Sequence, residues 1–85
     1  MSLSVTIAAP EGVLWEGEAT YVSAPSLEGS IGLMPGHLPI LSVLGEGTVK
    51  VVRTDGEDQL VAIAGGFLSF DHDMITIVAE PATSS

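Results

Sequence analysis

Three short stretches carry residue types that could do chemistry. His37 follows a Pro35-Gly36 turn, and an imidazole there could serve as a general base or a metal ligand. A base also needs an orienting carboxylate and a substrate pocket, and the nearest acids in sequence are Glu28 and Glu46. The expected role of His37 is therefore to cap a turn, donating to a backbone carbonyl, or to face a neighbouring protein. Asp71-His72-Asp73 sets two carboxylates around an imidazole, as a metal site might. On a strand, however, residue i+1 points away from i and i+2, and no second histidine is close in sequence. A solvated polar turn is expected. Gly65-Gly66 could belong to a phosphate-cradling loop, but such loops need more glycines and a following helix. Phe67 to Phe70 reads as strand, so the glycines are expected to let one backbone pass close to another, or to form a bulge. No Ser is set in a nucleophile elbow. No catalytic residue, cofactor site or metal site is expected.

The chain that positions these residues has 85 amino acids, one domain's worth. Hydrophobic residues make up 46% and charged residues 15%, a globular balance. Two Lys and Arg against eleven Asp and Glu leave a formal net charge of −9. Lys50 and Arg53 are too few to bind a phosphate backbone, so nucleic acid is excluded as a partner. Anionic lipid would be repelled for the same reason, and a basic or polar protein is the natural complement. There is no cysteine, hence no disulfide or thiolate site, which leans towards the cytoplasm. The first residues, MSLSVTIAAPEG, lack the charged and apolar regions of a signal peptide. No apolar run approaches the roughly 20 residues that cross a bilayer, so direct membrane insertion is not expected.

The hydrophobic period is close to two throughout. Leu3, Val5 and Ile7 alternate with Ser4 and Thr6, and Pro10-Glu11-Gly12 ends that strand. Val13 to Glu16 is a short strand, interrupted by Gly17, and Ala19 to Ser23 another, ended by Pro25. Glu28-Gly29-Ser30 reads as a turn before a brief strand from Ile31 to Met34, and Pro39 to Leu44 is the next strand. Thr48 to Thr54 and Gln59 to Ala64 form the clearest hairpin, with Asp55-Gly56 as a two-residue turn. Val49, Val51 and Arg53 share one face of its first strand. After Gly65-Gly66, Phe67 to Phe70 and Met74 to Ala79 complete the pattern. Nowhere is there amphipathic-helix spacing over ten residues. The fold class is all-β, a small sandwich or barrel. Residues 1–80 form the domain, and 81–85 a frayed polar tail.

From Glu28 to Leu41 the chain reads EGSIGLMPGHLPIL. This resembles the G-x-x-G-x-x-P-G-H-x-P-[LIV]-[LIV] signature of the ε subunit of F-type ATP synthase. Gly47-Thr48-Val49-Lys50-Val51 is similar to the family's G-x-[LIV]-x-[LIV] strand. Ala64-Gly65-Gly66-Phe67-Leu68 and Ile75-Thr76-Ile77-Val78-Ala79 are similar to its S-G-G-x-[LIV] and V-T-[VI]-L-[AS] segments. The opening LSVTIAAPEGVLWEGEA fits the family's usual start, and the likeness runs from residue 3 to about residue 80.

The resemblance implies a β-sandwich of about ten strands and no catalysis. It implies a central-stalk subunit that couples the membrane ring of c subunits to the γ subunit during proton-driven ATP synthesis. Such a subunit is peripheral, on the cytoplasmic face of the bacterial plasma membrane. Glu28, Gly29 and Ser30 match the family's c-ring-facing loop. The family often has an acid where Ser30 stands, which shifts the charged contact to Glu28. Ala9 and Pro10, with His37 and Leu38, match its γ-facing region. Gly32, Pro35, Gly36, Gly65 and Gly66 are expected to shape turns. Gly32→Val is expected to disrupt folding or assembly by crowding the Pro35-Gly36 turn. Family members usually continue into a helical hairpin that carries inhibition and, in some, ATP binding. No such role is carried over, whether this chain is cut at the domain edge or naturally short. The alternative is a stand-alone protein- or carbohydrate-binding module, for which Trp15, Tyr21, Phe67 and Phe70 are the available aromatics. The isolated domain could also self-associate.

Overall fold

A computed structural model describes residues 2–36 and 38–82, and every regular element among them is a β-strand. In chain order these are β1 (Leu3–Ala9), β2 (Gly12–Ser26), β3 (Gly29–Leu33), β4 (Ile40–Leu44), β5 (Gly47–Arg53), β6 (Asp58–Asp71) and β7 (Met74–Pro81). Seven strands replace the expected ten. Two runs that read as broken are continuous: β2 passes through Gly17, and β6 passes through Gly65-Gly66. Gly17 leaves room for the Trp15 indole, whose Cζ2 would lie 2.8 Å from a Cβ at that position.

The two long strands each serve two sheets. The first sheet runs β2 (N-terminal half), β1, β7, β6 (C-terminal half), β4. The second runs β3, β2 (C-terminal half), β5, β6 (N-terminal half). The pairings β1–β2–β5–β6–β7–β1 close a circuit, so β3 and β4 are the strands left at its opening. β1 and β7 pair in parallel and the remaining neighbours are antiparallel.

Alternation places the core. Leu3, Val5 and Ile7 of β1 and Ile75 and Ile77 of β7 are at most 1% exposed and meet Val49, Val51, Leu33, Leu68 and Phe70. Such a β-branched core stiffens the block, because these side chains have few rotamers to lose. Val49 and Val51 of β5 are buried and Arg53 half-buried on the same side, as the alternation required.

The bend in β6 is set by close backbone approach. Its register with β7 slips between Ile63 and Gly65. A Cβ on Gly66 would press on the Val78 carbonyl oxygen and lie 2.6 Å from Ala79 Cα. The glycine pair thus provides both a bulge and a close pass.

The β5–β6 hairpin forms as expected, but its loop has three residues, Thr54 to Gly56. Arg53 N donates to Glu57 O at 2.9 Å and Gly56 N to Arg53 O at 3.0 Å. Gly56 alone takes the left-handed conformation (φ +90°), giving a turn plus bulge rather than a two-residue Asp-Gly turn. Pro81, assigned to the tail, ends β7, and Ala82 N donates to Ala62 O at 3.1 Å. Residues 83–85 of that tail lie outside the described residues.

Candidate functional site

The signature stretch folds as β3, a connection from Met34 to Pro39, and β4. His37 lies outside the described residues. Its neighbour Gly36 donates its N–H to Asp73 Oδ1 at 2.8 Å. Asp73 also accepts Ser4 N–H on its backbone oxygen at 2.9 Å. It sits with His72 in the two-residue turn joining β6 to β7, both at positive φ (49° and 59°), a conformation short polar residues tolerate. One turn residue therefore ties together the signature loop, the start of β1 and the β6–β7 hairpin. His72 Nδ1 lies 2.8 Å from Asp71 Oδ1, with the His72 side chain 90% exposed. This is a polar turn in water with a latch built into it. The latch escapes sequence reading because Gly36 and Asp73 are 37 positions apart.

Glu28 occupies a two-residue turn, Leu27-Glu28, between paired Ser26 and Gly29. The turn thus begins one residue earlier than the sequence suggested, and Gly29 and Ser30 open β3 as exposed residues. Glu28 N donates to Ser26 Oγ at 3.2 Å. Pairings Ser26–Leu44, Leu44–Gly66 and Gly66–Ala79 run across one end of the molecule, and Ala9-Pro10 follows Ala8, the partner of Val78. Ala9 and Pro10 therefore share an end with Glu28. Pro35, Gly36 and Leu38 lie at the other end, by Ser4 and Asp73. The five-residue rise from Ser4 to Ala9 is about 17 Å. The structure does not bring Ala9-Pro10 into one region with Pro35, Gly36 and Leu38, as the resemblance had grouped them.

Both ends are acidic, since Glu18, Asp55, Glu57, Asp71 and Asp73 lie at the end opposite Ala9, beside Arg53. Glu11, Glu28, Glu46 and Glu80 lie in or beside loops at the Ala9 end with no base among them. The chain's two bases are both on β5 and both paired, Lys50 with Asp58 (3.5 Å) and Arg53 with Asp55 (2.6 Å). Among the described residues no three His, Cys, Asp or Glu are placed to hold a metal ion.

Gly32 sits under the Tyr21 side chain. A Cβ there would press on the Tyr21 hydroxyl and lie 3.0 Å from its Cζ. The crowding comes from β2, not from the Pro35-Gly36 turn.

A further surface was missed. Register aligns Val43 with Phe67, Phe67 with Val78, Val78 with Ala8, and Ala8 with Val13. Val43, Phe67, Val78 and Val13 are 47–60% exposed, so the outer face of the first sheet carries an apolar row across five strands. The available signal was local. Phe67-Leu68 and Ile75 to Ala79 place apolar residues on both faces, where a half-wet strand would alternate cleanly.

Comparison with known proteins agrees with this geometry. A family model described as the ATP synthase delta/epsilon chain β-sandwich domain matches residues 2–85. The chain belongs to that family. It is 46% identical over 80 residues to the ATP synthase epsilon chain of Micrococcus luteus, covering 94% of this chain and 88% of that one. It is 49% identical to the epsilon chain of Rhodococcus erythropolis and 38% to that of Bordetella petrii, spanning 66% and 57% of their lengths. These relatives carry the name of a structural stalk subunit rather than a catalytic one. The same fold occurs in a chain of the Euglena gracilis mitochondrial ATP synthase, solved with OSCP, F1 and c-ring (TM-score 0.88, 19% identity, 96% of this chain and 52% of that chain). It occurs again in the central stalk and c-ring assembly of the Tetrahymena thermophila enzyme (TM-score 0.75, 18% identity, 94% and 64%).

Proposed function

We propose that this member of the ATP synthase delta/epsilon family is a non-catalytic stalk subunit that couples the c ring to the γ subunit. The observation that carries the reading is the match along residues 2–85, in a family whose curated relatives are ATP synthase epsilon chains. The geometry supports it. A closed circuit of paired strands around a β-branched core makes a stiff block suited to transmitting torque. Two separate surfaces are on offer: an acidic end around Glu28, Gly29 and Ser30, and an exposed apolar row on the first sheet. The acidic end suits basic or polar loops of a c ring. Ala9 and Pro10 at that end, Leu38 at the other, and His37 remain the γ-contact candidates by resemblance. Among the described residues no helix is long and apolar enough to cross a membrane. A peripheral position on the cytoplasmic face is the resemblance's implication.

Affinity purification of the tagged chain from native membranes tests this. Recovery of γ and c subunits is expected, and recovery of neither would overturn the proposal.

A further inference from the structure

The apolar row has a shape that narrows its occupant. Val43, Phe67, Val78, Ala8 and Val13 supply one residue from each of five adjacent strands. Four inter-strand steps of about 4.8 Å make the row about 19 Å long. It is one residue deep except on β4, where the exposed Leu41 stands beside Val43 on the same face. On the far side from the Ala9 end, Ser69, Thr76, Thr6 and Glu16 form a polar row paired strand to strand, which meets Leu41 at β4. On the near side, Glu80 follows Val78 by two residues and Glu11 precedes Val13 by two, both exposed. The row is thus a narrow apolar line crossing the strands, with carboxylates on both sides. No base lies on this sheet, since Lys50 and Arg53 are both on β5 of the other.

A line of this kind matches the stripe of one α-helix. At 1.5 Å per residue, about 13 helical residues cover 19 Å, presenting apolar side chains at i, i+4, i+7 and i+11. A strand laid along the row would leave its own backbone groups unpaired over apolar side chains, whereas a helix satisfies them internally. The carboxylate rim calls for cations beside the stripe, and a second copy at −9 would bring more acid instead.

We propose that this row docks an amphipathic α-helix of the γ subunit, apolar along about 13 residues and flanked by Lys or Arg. The inference rests on the stalk-subunit reading, in which the chain is held by a neighbour.

The test uses the full chain and purified γ subunit as the probe. Phe67→Ser and Val78→Ser are expected to weaken γ binding by about 10–100-fold, with unchanged melting curves. Leu60→Ser, equally exposed on the second sheet, is expected to have no effect. Added salt is expected to weaken the wild-type complex. A photo-cross-linker at position 67, used in the assembled complex, is expected to label a helical segment bordered by Lys or Arg. Equal binding of wild type and both row variants would overturn the docking proposal while leaving the stalk reading intact. Cross-linking to a second copy, to a c subunit, or to a non-helical or acidic segment would overturn it as well. Loss of all γ and c recovery by the wild-type chain would instead defeat the stalk reading.

Discussion

Phe67 and Phe70 are three residues apart on β6 and face opposite sides of the first sheet. Phe70 is 1% exposed in the core, and Phe67 is 57% exposed in the outer row. The same residue type on the same strand holds the fold together on one side and offers a surface on the other. Apolar content alone therefore cannot separate core from interface in this chain. What separates them is whether the second sheet covers that face. The outer face of the second sheet differs in arrangement, because there the exposed Leu60 and Tyr21 stand among Ser23, Thr48 and the Lys50–Asp58 pair rather than in an unbroken apolar row.

Substitutions can break this contrast. Phe70→Ala should cost most, about 3–5 kcal/mol, which is much of a small domain's stability. A denaturation midpoint close to that of wild type would mean that Phe70 does not anchor the core. Gly66→Ala should follow at about 2–3 kcal/mol, because its Cβ meets β7 backbone that cannot move without breaking the ladder. Urea unfolding of the variant measures this. Asp73→Ala should cost about 1–2 kcal/mol and speed hydrogen exchange at the Gly36 amide, while Asp73→Asn, which keeps an acceptor, should restore most protection. Unchanged exchange in the alanine variant would dissolve the latch. Gly32→Val should cost under about 1 kcal/mol, since the half-exposed Tyr21 ring can swing away from the added side chain. A collapse of the melting transition would show that Tyr21 is held in place. Phe67→Ala should be smallest, within about 0.5 kcal/mol, and a large loss of stability there would erase the difference between the two faces.

Several local features are readable because the physics behind them is local. Alternation in β1 and β5, the β5–β6 hairpin and the Gly65-Gly66 bulge are all legible because strand period and glycine geometry act over a few residues. Gly17 misled because a glycine in a strand can end it or can seat an aromatic ring, and only the position of Trp15 distinguishes these. The Asp55-Gly56 turn was one residue short for a related reason. Whether one or both turn residues take positive φ depends on how the flanking strands pair.

The amino-acid sequence by itself determined the all-β class, the shortage of bases and the family, since composition, period and motif spacing need no neighbours to be read. The tertiary structure alone decided which apolar residues stay exposed, that Asp73 latches the Gly36 loop, and that Ala9-Pro10 lies at the end opposite Leu38. Those outcomes depend on register between strands distant in sequence. A shift of one residue in register would exchange the inner and outer faces of the first sheet while leaving the sequence unchanged.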